Sequence, residues 1–185
     1  MSVAIADNTA SSKKNRYRDV PRNADYTIDQ AWASYTAAEH DRWDRLFKRS
    51  QAILHDRACH EFMAMMHTLK LSESGIPNME RLSDRLEKIT GWRVVPVAEL
   101  VPDEVFFNHL ANRRFPAGAF IRPEEEMDYL EEPDIFHDIF GHVPLLANPV
   151  YSDFMHAYSR VANVRFRSEN CRIWHGFTGT RLNSD

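Results

Sequence analysis

The sequence predicts a mostly α-helical fold with a few short strands. Residues 26–69 and residues 78–89 place apolar side chains at helical spacing. The short run 92–97 is rich in β-prone residues, but Pro96 within it argues against a central strand position. The chain has 185 residues, of which 43% are hydrophobic, so it is long enough to bury the core of one domain.

The predicted elements have recognisable ends. Residues 1–23 are polar and basic without periodicity, and we expect them to form a flexible arm. The spacing of Thr36 and Glu39 is that of a capping box, which predicts one long helix or two helices in succession after it. Asn78 is a suitable N-cap for the next helix, and Gly91 is a suitable stop.

Two histidines and two aspartates, which can bind metals or transfer protons, fall within residues 133–144. The sequence of this run is P-D-I-F-H-D-I-F-G-H-V-P. Imidazole is the commonest metal ligand in proteins, and a neighbouring carboxylate can orient the ring or a metal-bound water. His137 and His142 are five residues apart, which turns them away from each other on an ideal helix. They can share one ion only where the helix ends or is distorted. Gly141 and Pro144 are expected to end it.

The histidines have a structural alternative. His137 and His142 could be partly buried and hydrogen-bonded to Asp134 and Asp138, and spacing alone favours that interpretation. The whole run favours another, because P-D-x-x-H-D-I-F-G-H-V-P resembles the iron-binding motif of the pterin-dependent aromatic amino acid hydroxylases. The likeness is greatest to the short bacterial phenylalanine 4-monooxygenases, and it is unbroken along the run.

This resemblance implies a helical hydroxylase catalytic domain, spanning residues 24–160, that uses non-haem Fe(II) and tetrahydrobiopterin or a related reduced pterin. In the family two motif histidines and a later glutamate hold the iron. His137 and His142 are therefore the expected metal ligands, and Asp138 is the expected catalytic carboxylate beside an iron-bound water. The implied reaction converts L-phenylalanine to L-tyrosine with O2.

The resemblance also assigns a pterin site. A helix expected to begin near Pro102, together with the loop before it, should hold the cofactor. Val97, Val101 and Phe106 are expected near the pterin ring, with Phe106 stacking on it. The alternative for Phe106 is a core position, which is the usual place for a phenylalanine at helical spacing.

Arg122 and Pro133 are the residues expected to contact phenylalanine. A guanidinium suits bidentate binding of a carboxylate, and the family has an arginine at the matching place. Pro133 is expected to line the pocket for the substrate ring. The alternative for Arg122 is an ion pair with an acidic residue that follows it in the sequence: Glu124, Glu125, Glu126 or Asp128.

The resemblance stops near Ser159. Residues 161–185 are basic and aperiodic, and they lack the family segment Y-W-[YF]-T-V-E-F-G that carries the third iron ligand. The degenerate codons of residues 176–185, G-F-T-G-T-R-L-N-S-D, can encode L-Y-W-Y-T-V-E-F-G when they are read from the third base of the glycine codon. We therefore expect residues 161–185 to be a frameshifted, non-family tail and the catalytic domain to be truncated at its C-terminus.

Without the glutamate, iron is expected to bind weakly, and little or no turnover is expected from the chain as written. The alternative is a non-catalytic truncated product or a pterin-binding fragment. A zinc hydrolase using the two histidines ranks last, because no glutamate stands where a general base is needed.

Composition restricts the partners. The net charge of −4 and the scattered basic residues argue against nucleic acid, and no apolar run approaches membrane-spanning length. The N-terminus has no hydrophobic signal core. Cys59 and Cys171 are too few for a disulfide framework. The sequence predicts a cytoplasmic monomer that binds small molecules: L-phenylalanine, O2 and a pterin.

Overall fold

Helices make up most of the structure, a computed structural model that describes residues 15–54, 57–71 and 75–167. A short parallel sheet stands among them. The elements in chain order are a 3-10 turn at Trp32–Ser34, α1 (Ala37–Leu54), α2 (His60–Thr68), α3 (Met79–Thr90), β1 (Arg93–Val97), α4 (Asp103–Ala111), β2 (Arg114–Gly118), a 3-10 turn at Glu124–Glu126, α5 (Ile135–Leu146) and α6 (Pro149–Arg167).

The predicted helix ends are confirmed for α1 and α3. The Thr36 N–H donates to Glu39 Oε2 at 2.7 Å and the Glu39 N–H to Thr36 Oγ1 at 3.3 Å, which is a capping box. Asn78 Oδ1 accepts the Arg81 N–H at 3.0 Å. Gly91 ends α3 with φ of 74°, a left-handed conformation that suits glycine. The long helical pattern forms two helices, α1 and α2.

The N-terminal segment from Asn15 packs against the rest of the chain. Tyr17 is only 3% exposed, and its hydroxyl donates to the carbonyl of Gln30 at 2.8 Å. Residues 15–23 therefore differ from the flexible arm expected there, because an aromatic side chain anchors them. Residues 1–14 lie outside the described residues.

The sheet has two parallel strands, and the α4 helix connects them. Arg93 pairs with Arg114 and Val97 with Gly118 at the two ends of the register. Pro96 is tolerated because its nitrogen lies on the side of β1 that faces away from β2, where its carbonyl accepts the Ile28 N–H. The sequence did not predict β2, since its sequence R-F-P-A-G contains residue types that are depleted in strands.

The motif helix α5 runs through the core. It contacts α1, α2, α6 and β2, and its residues Ile135, Ile139 and Val143 are fully buried. Phe136 stacks on Phe140 with ring centroids 4.8 Å apart. One side of α5 is therefore fixed by packing, which holds the opposite side in a defined position.

Helix α6 extends further than the sequence predicted. It continues past Ser159 to Arg167, and both Ser159 and Ala162 are buried. The expectation that residues 161–185 are aperiodic is therefore wrong for residues 161–167. The remainder of that predicted tail lies outside the described residues. Across the described ranges, no helix is long and apolar enough to cross a membrane.

Candidate active site

Asp134 begins the helix that carries the two motif histidines. Its Oδ1 accepts the backbone N–H of His137 at 3.0 Å, so Asp134 is the N-cap of α5. Pro133 precedes the cap and lies outside the helix. The cap fixes the first turn of α5, and that turn contains His137.

The imidazoles of His137 and His142 converge. Their Nε2 atoms are 3.3 Å apart, and the ring centroids are 5.2 Å apart. The expectation that Gly141 and Pro144 end the helix is wrong, because α5 continues to Leu146. Pro144 has no N–H, so it cannot donate the helical hydrogen bond to the Phe140 carbonyl. The missing bond allows the helix to depart from ideal geometry near the histidines.

Asp138 stands beside the histidines and is held by the sheet. The Gly118 N–H at the end of β2 donates to Asp138 Oδ2 at 2.8 Å. Desolvation raises the pKa of Asp138 to about 7, and the nearby charge of Asp134 adds to the shift.

The His142 ring has a lowered pKa. Desolvation is the main cause, and the neighbouring His137 also disfavours the imidazolium. A lowered pKa keeps an imidazole neutral, which is the form that binds a metal.

These three side chains open onto one large cavity of about 670 Å³. Its wall is mostly apolar, which suits a flat organic ring. The sequence predicted seven of its residues: Val97, Val101, Phe106, Pro133, His137, Asp138 and His142.

Sequence reasoning missed the wall that α6 contributes to this cavity. The residues concerned are Tyr151, Phe154, Met155 and Tyr158. The last three follow Tyr151 by three, four and seven positions. That helical spacing, directly after the motif, was the signal that could have found them.

Arg122 is not at the cavity wall. Its Nε donates to Asp134 Oδ2 and its Nη2 to Asp134 Oδ1, both at 2.9 Å, and its backbone N–H also donates to Oδ2. Two of the four acidic residues in the alternative ion pair contact other arginines. Glu124 pairs with Arg45, and Asp128 pairs with Arg49.

The donor set fits a divalent transition metal. Two nitrogens bound about 2.1 Å from one ion lie roughly 3 to 3.5 Å apart, which agrees with the separation of the two Nε2 atoms. The ligand atoms of His137, His142 and Asp138 all lie within 4.8 Å of one another. Two imidazoles beside a carboxylate are typical of non-haem iron sites.

Comparison with known proteins identifies the family. A model of the biopterin-dependent aromatic amino acid hydroxylases matches residues 4–162. The chain belongs to this family. The predicted family and the predicted helical hydroxylase fold are therefore confirmed.

Individual hydroxylases show how far the likeness extends. The chain is 60% identical over 134 residues to phenylalanine-4-hydroxylase of Caulobacter vibrioides, covering 72% of this chain and 46% of that protein. It is 54% identical over 136 residues to phenylalanine-4-hydroxylase of Ralstonia nicotianae, covering 74% of this chain and 44% of that protein. The chain thus spans about half the length of the curated relatives it matches.

Solved hydroxylase structures share the fold. Phenylalanine hydroxylase of Chromobacterium violaceum bound to cobalt superposes with a TM-score of 0.79 at 41% identity, covering 89% of this chain and 58% of that chain. The form with bound iron(III) and 7,8-dihydrobiopterin gives 0.78 at 40% identity, covering 86% of this chain and 57% of that chain.

Proposed function

We propose that the protein to which this chain belongs is a phenylalanine 4-monooxygenase, which converts L-phenylalanine to L-tyrosine with O2 and a reduced pterin at a non-haem Fe(II). The observation that carries the proposal is the convergence of His137 and His142 on the wall of an apolar cavity. Phenylalanine as the substrate is supported by the likeness to two bacterial phenylalanine-4-hydroxylases.

His137 and His142 are the residues that would hold the iron. With a reduced pterin, the iron would supply the oxygen activation that ring hydroxylation requires. Asp138 lies beside them with its Oδ2 fixed by the Gly118 N–H, so its carboxyl group is placed to hydrogen-bond to an iron-bound water.

The pterin would lie against the Val97, Val101 and Phe106 part of the wall. Phe106 is held by edge contacts with Phe107 and Phe115, at centroid distances of 5.7 and 6.4 Å. These contacts fix the plane of the ring, which would reduce the entropic cost of stacking on a flat cofactor.

For the substrate, we assign the ring to the wall at Pro133. The carboxylate is assigned to Arg122 on the family resemblance alone, because Arg122 does not line the cavity and Asp134 binds its Nε and Nη2. Pro133 lines the same cavity as His137, which places an apolar surface near the iron ligands. Asp134 fixes the Arg122 guanidinium at two points, so the plane of this cation is set before any ligand arrives.

The third ligand is proposed to be a glutamate encoded in the shifted frame. It would straddle the codons of Leu182 and Asn183, residues outside the described part of the chain. The family match ends at residue 162, close to Ser159, where the resemblance in the sequence stops and where we place the change of frame. Sequencing the gene from the codon of Phe154 onward tests this directly, because one inserted or deleted base should restore L-Y-W-Y-T-V-E-F-G followed by further open frame.

The activity test compares two purified proteins, the chain as written and the protein translated in the restored frame. Each is supplied with Fe(II), tetrahydrobiopterin, O2 and L-phenylalanine, and tyrosine is measured. The restored protein should form tyrosine, and its His142→Ala variant should not. Tyrosine from the chain as written, at a comparable rate, would disprove the need for the shifted segment. No tyrosine from the restored protein would disprove the activity itself.

A second candidate is a non-catalytic, pterin-binding fragment. One observation on the described residues favours it. The carboxylate clustered with the two histidines is that of Asp138, and the Gly118 N–H already donates to it, so it is a poor substitute for the missing glutamate ligand. Thermal stabilisation by a reduced pterin without tyrosine formation would support this candidate.

We also propose that the protein is a cytoplasmic monomer. The absence of a membrane-crossing helix from the described ranges is compatible with this location. Light scattering after gel filtration tests the monomer, and cell fractionation tests the location.

A further inference from the structure

The N-terminal segment 15–28 lies against the loop that joins β1 to α4. Asn15 Nδ2 donates to the Ala98 carbonyl at 2.6 Å, and the Ile28 N–H donates to the Pro96 carbonyl at 3.0 Å. Thr27 forms an isolated antiparallel bridge with Val97. The segment therefore binds the end of β1 and the start of the loop from outside the cavity.

Two arginines of this segment bind one acidic residue of the loop. Arg22 Nη2 lies 2.9 Å from Glu99 Oε1, and Arg18 Nε lies 3.4 Å from Glu99 Oε2. The Arg22 guanidinium also donates to the Arg18 carbonyl at 2.8 Å. Each carboxylate oxygen of Glu99 thus faces a different cation. The Arg22 contact is at hydrogen-bond distance and the Arg18 contact is a longer ion pair, and together they favour one orientation of the Glu99 side chain.

The same loop also forms part of the cavity wall. Glu99, Leu100 and Val101 all line the cavity, whereas Arg18 and Arg22 do not. Residues 98–102 lie outside any helix or strand, so no regular hydrogen-bond ladder fixes them. The two arginines contact one residue of the cavity wall, Glu99, without lining the cavity themselves.

We propose that Arg18 and Arg22 are positioning residues for the pterin side of the cavity, which hold the loop 98–101 in the conformation that receives the cofactor. The identity of the ligand rests on the proposed function. The positioning of the loop rests on the contacts with Glu99 and Ala98 and does not depend on the proposed function.

Exposed ion pairs contribute little to global stability. The side chains of Arg22 and Glu99 are each 29% exposed, and that of Arg18 is 38% exposed. Removing them should therefore leave the fold intact and change the loop alone. A purely structural role would instead lower the unfolding temperature without a local effect.

The first measurement is amide hydrogen exchange of the 185-residue chain, which requires no ligand. Exchange in residues 98–101 should accelerate in the double variant Arg18→Gln, Arg22→Gln and in Glu99→Gln. The matched control is Arg93→Gln, which removes an exposed ion pair with Glu87 on α3 at a distance from this loop. Unchanged exchange in residues 98–101 of the double variant would overturn the proposal.

The second measurement is binding of 7,8-dihydrobiopterin, with cobalt binding as a reference for the histidine site. The double arginine variant should bind the pterin roughly three- to tenfold more weakly, as expected for the loss of two exposed ion pairs, with cobalt binding unchanged. Because Glu99 also lines the cavity, the arginine variant is the decisive one.

The outcomes separate the two proposals. If the unaltered chain binds no pterin, the cofactor assignment fails, and hydrogen exchange alone decides the role of the arginines. If the pterin binds equally well to the unaltered chain and to the double variant, Arg18 and Arg22 do not position its site.

Discussion

Arg122 and Asp134 form a buried ion pair at the start of the motif helix. Asp134 is fully buried, and the side chain of Arg122 is 12% exposed. The same carboxylate accepts the Arg122 backbone N–H and the His137 N–H. One aspartate therefore connects the residue proposed to bind the substrate carboxylate with the first turn of the helix that bears the iron ligands.

Replacing Asp134 should destabilise the protein strongly. Asp134→Asn keeps a side-chain oxygen for the His137 N–H but leaves the Arg122 cation without its counter-charge. The cost of breaking a buried pair in this way is roughly 3 kcal/mol. Urea denaturation followed by circular dichroism measures it. The control is Arg49→Gln, which removes the exposed ion pair with Asp128 and should shift the urea midpoint little. Equal shifts of the midpoint in both variants would contradict the burial of Asp134.

Removing either histidine should greatly weaken the metal binding of this chain. His142→Ala leaves one imidazole, so cobalt affinity should fall more than about a hundredfold, beyond the usual effect of losing a supporting hydrogen bond. Isothermal titration with Co(II) measures the loss. His67→Ala, which alters an exposed histidine of α2, is the matched control. Retention of cobalt affinity in His142→Ala would exclude the proposed metal centre.

Phe106 should matter more for pterin binding than for folding. It is partly exposed at the cavity wall, so Phe106→Ala should weaken 7,8-dihydrobiopterin binding about fivefold by removing an aromatic stacking surface. Fluorescence titration gives the affinity, and thermal unfolding gives the stability. Ile53→Ala, which removes an exposed apolar side chain elsewhere, should change neither. A large loss of stability with unchanged pterin affinity would show that Phe106 serves the hydrophobic core and not the pterin site.

His109 should make the protein less stable in weak acid. It is 1% exposed, its Nε2 lies 2.8 Å from the Asp25 carbonyl oxygen, and desolvation lowers its pKa. Below about pH 6.5 the unfolded chain binds a proton that the folded His109 resists, so stability falls as the pH drops through the unfolded pKa toward the folded one.

The measurement for His109 is the urea midpoint at pH 7.5 and pH 5.5. The midpoint should fall further in the unaltered protein than in His109→Gln, which cannot titrate. Other histidines contribute equally to both proteins and cancel in the comparison. An equal fall in the two proteins would show that the pKa of His109 does not change on folding.

The sequence revealed the local features of this fold better than the distant ones. The capping box at Thr36 and the stop at Gly91 depend on residues a few positions apart, so both were predictable. Strand β2 was missed because its pairing with β1 compensates for a poor strand sequence. The pairing of Arg122 with Asp134 was missed because the choice among several nearby acids depends on burial, which a sequence does not display.

The N-terminal segment also has a consequence for how the chain folds. Asn15 contacts Ala98 across 83 positions, and the Tyr35 hydroxyl donates to the Ala119 carbonyl across 84 positions. Such contacts form only after long loops close, which raises contact order and slows folding relative to a simple helical bundle. During synthesis, Asn15 can bind its partner only after Ala98 has left the ribosome, and Tyr35 only after Ala119 has done so.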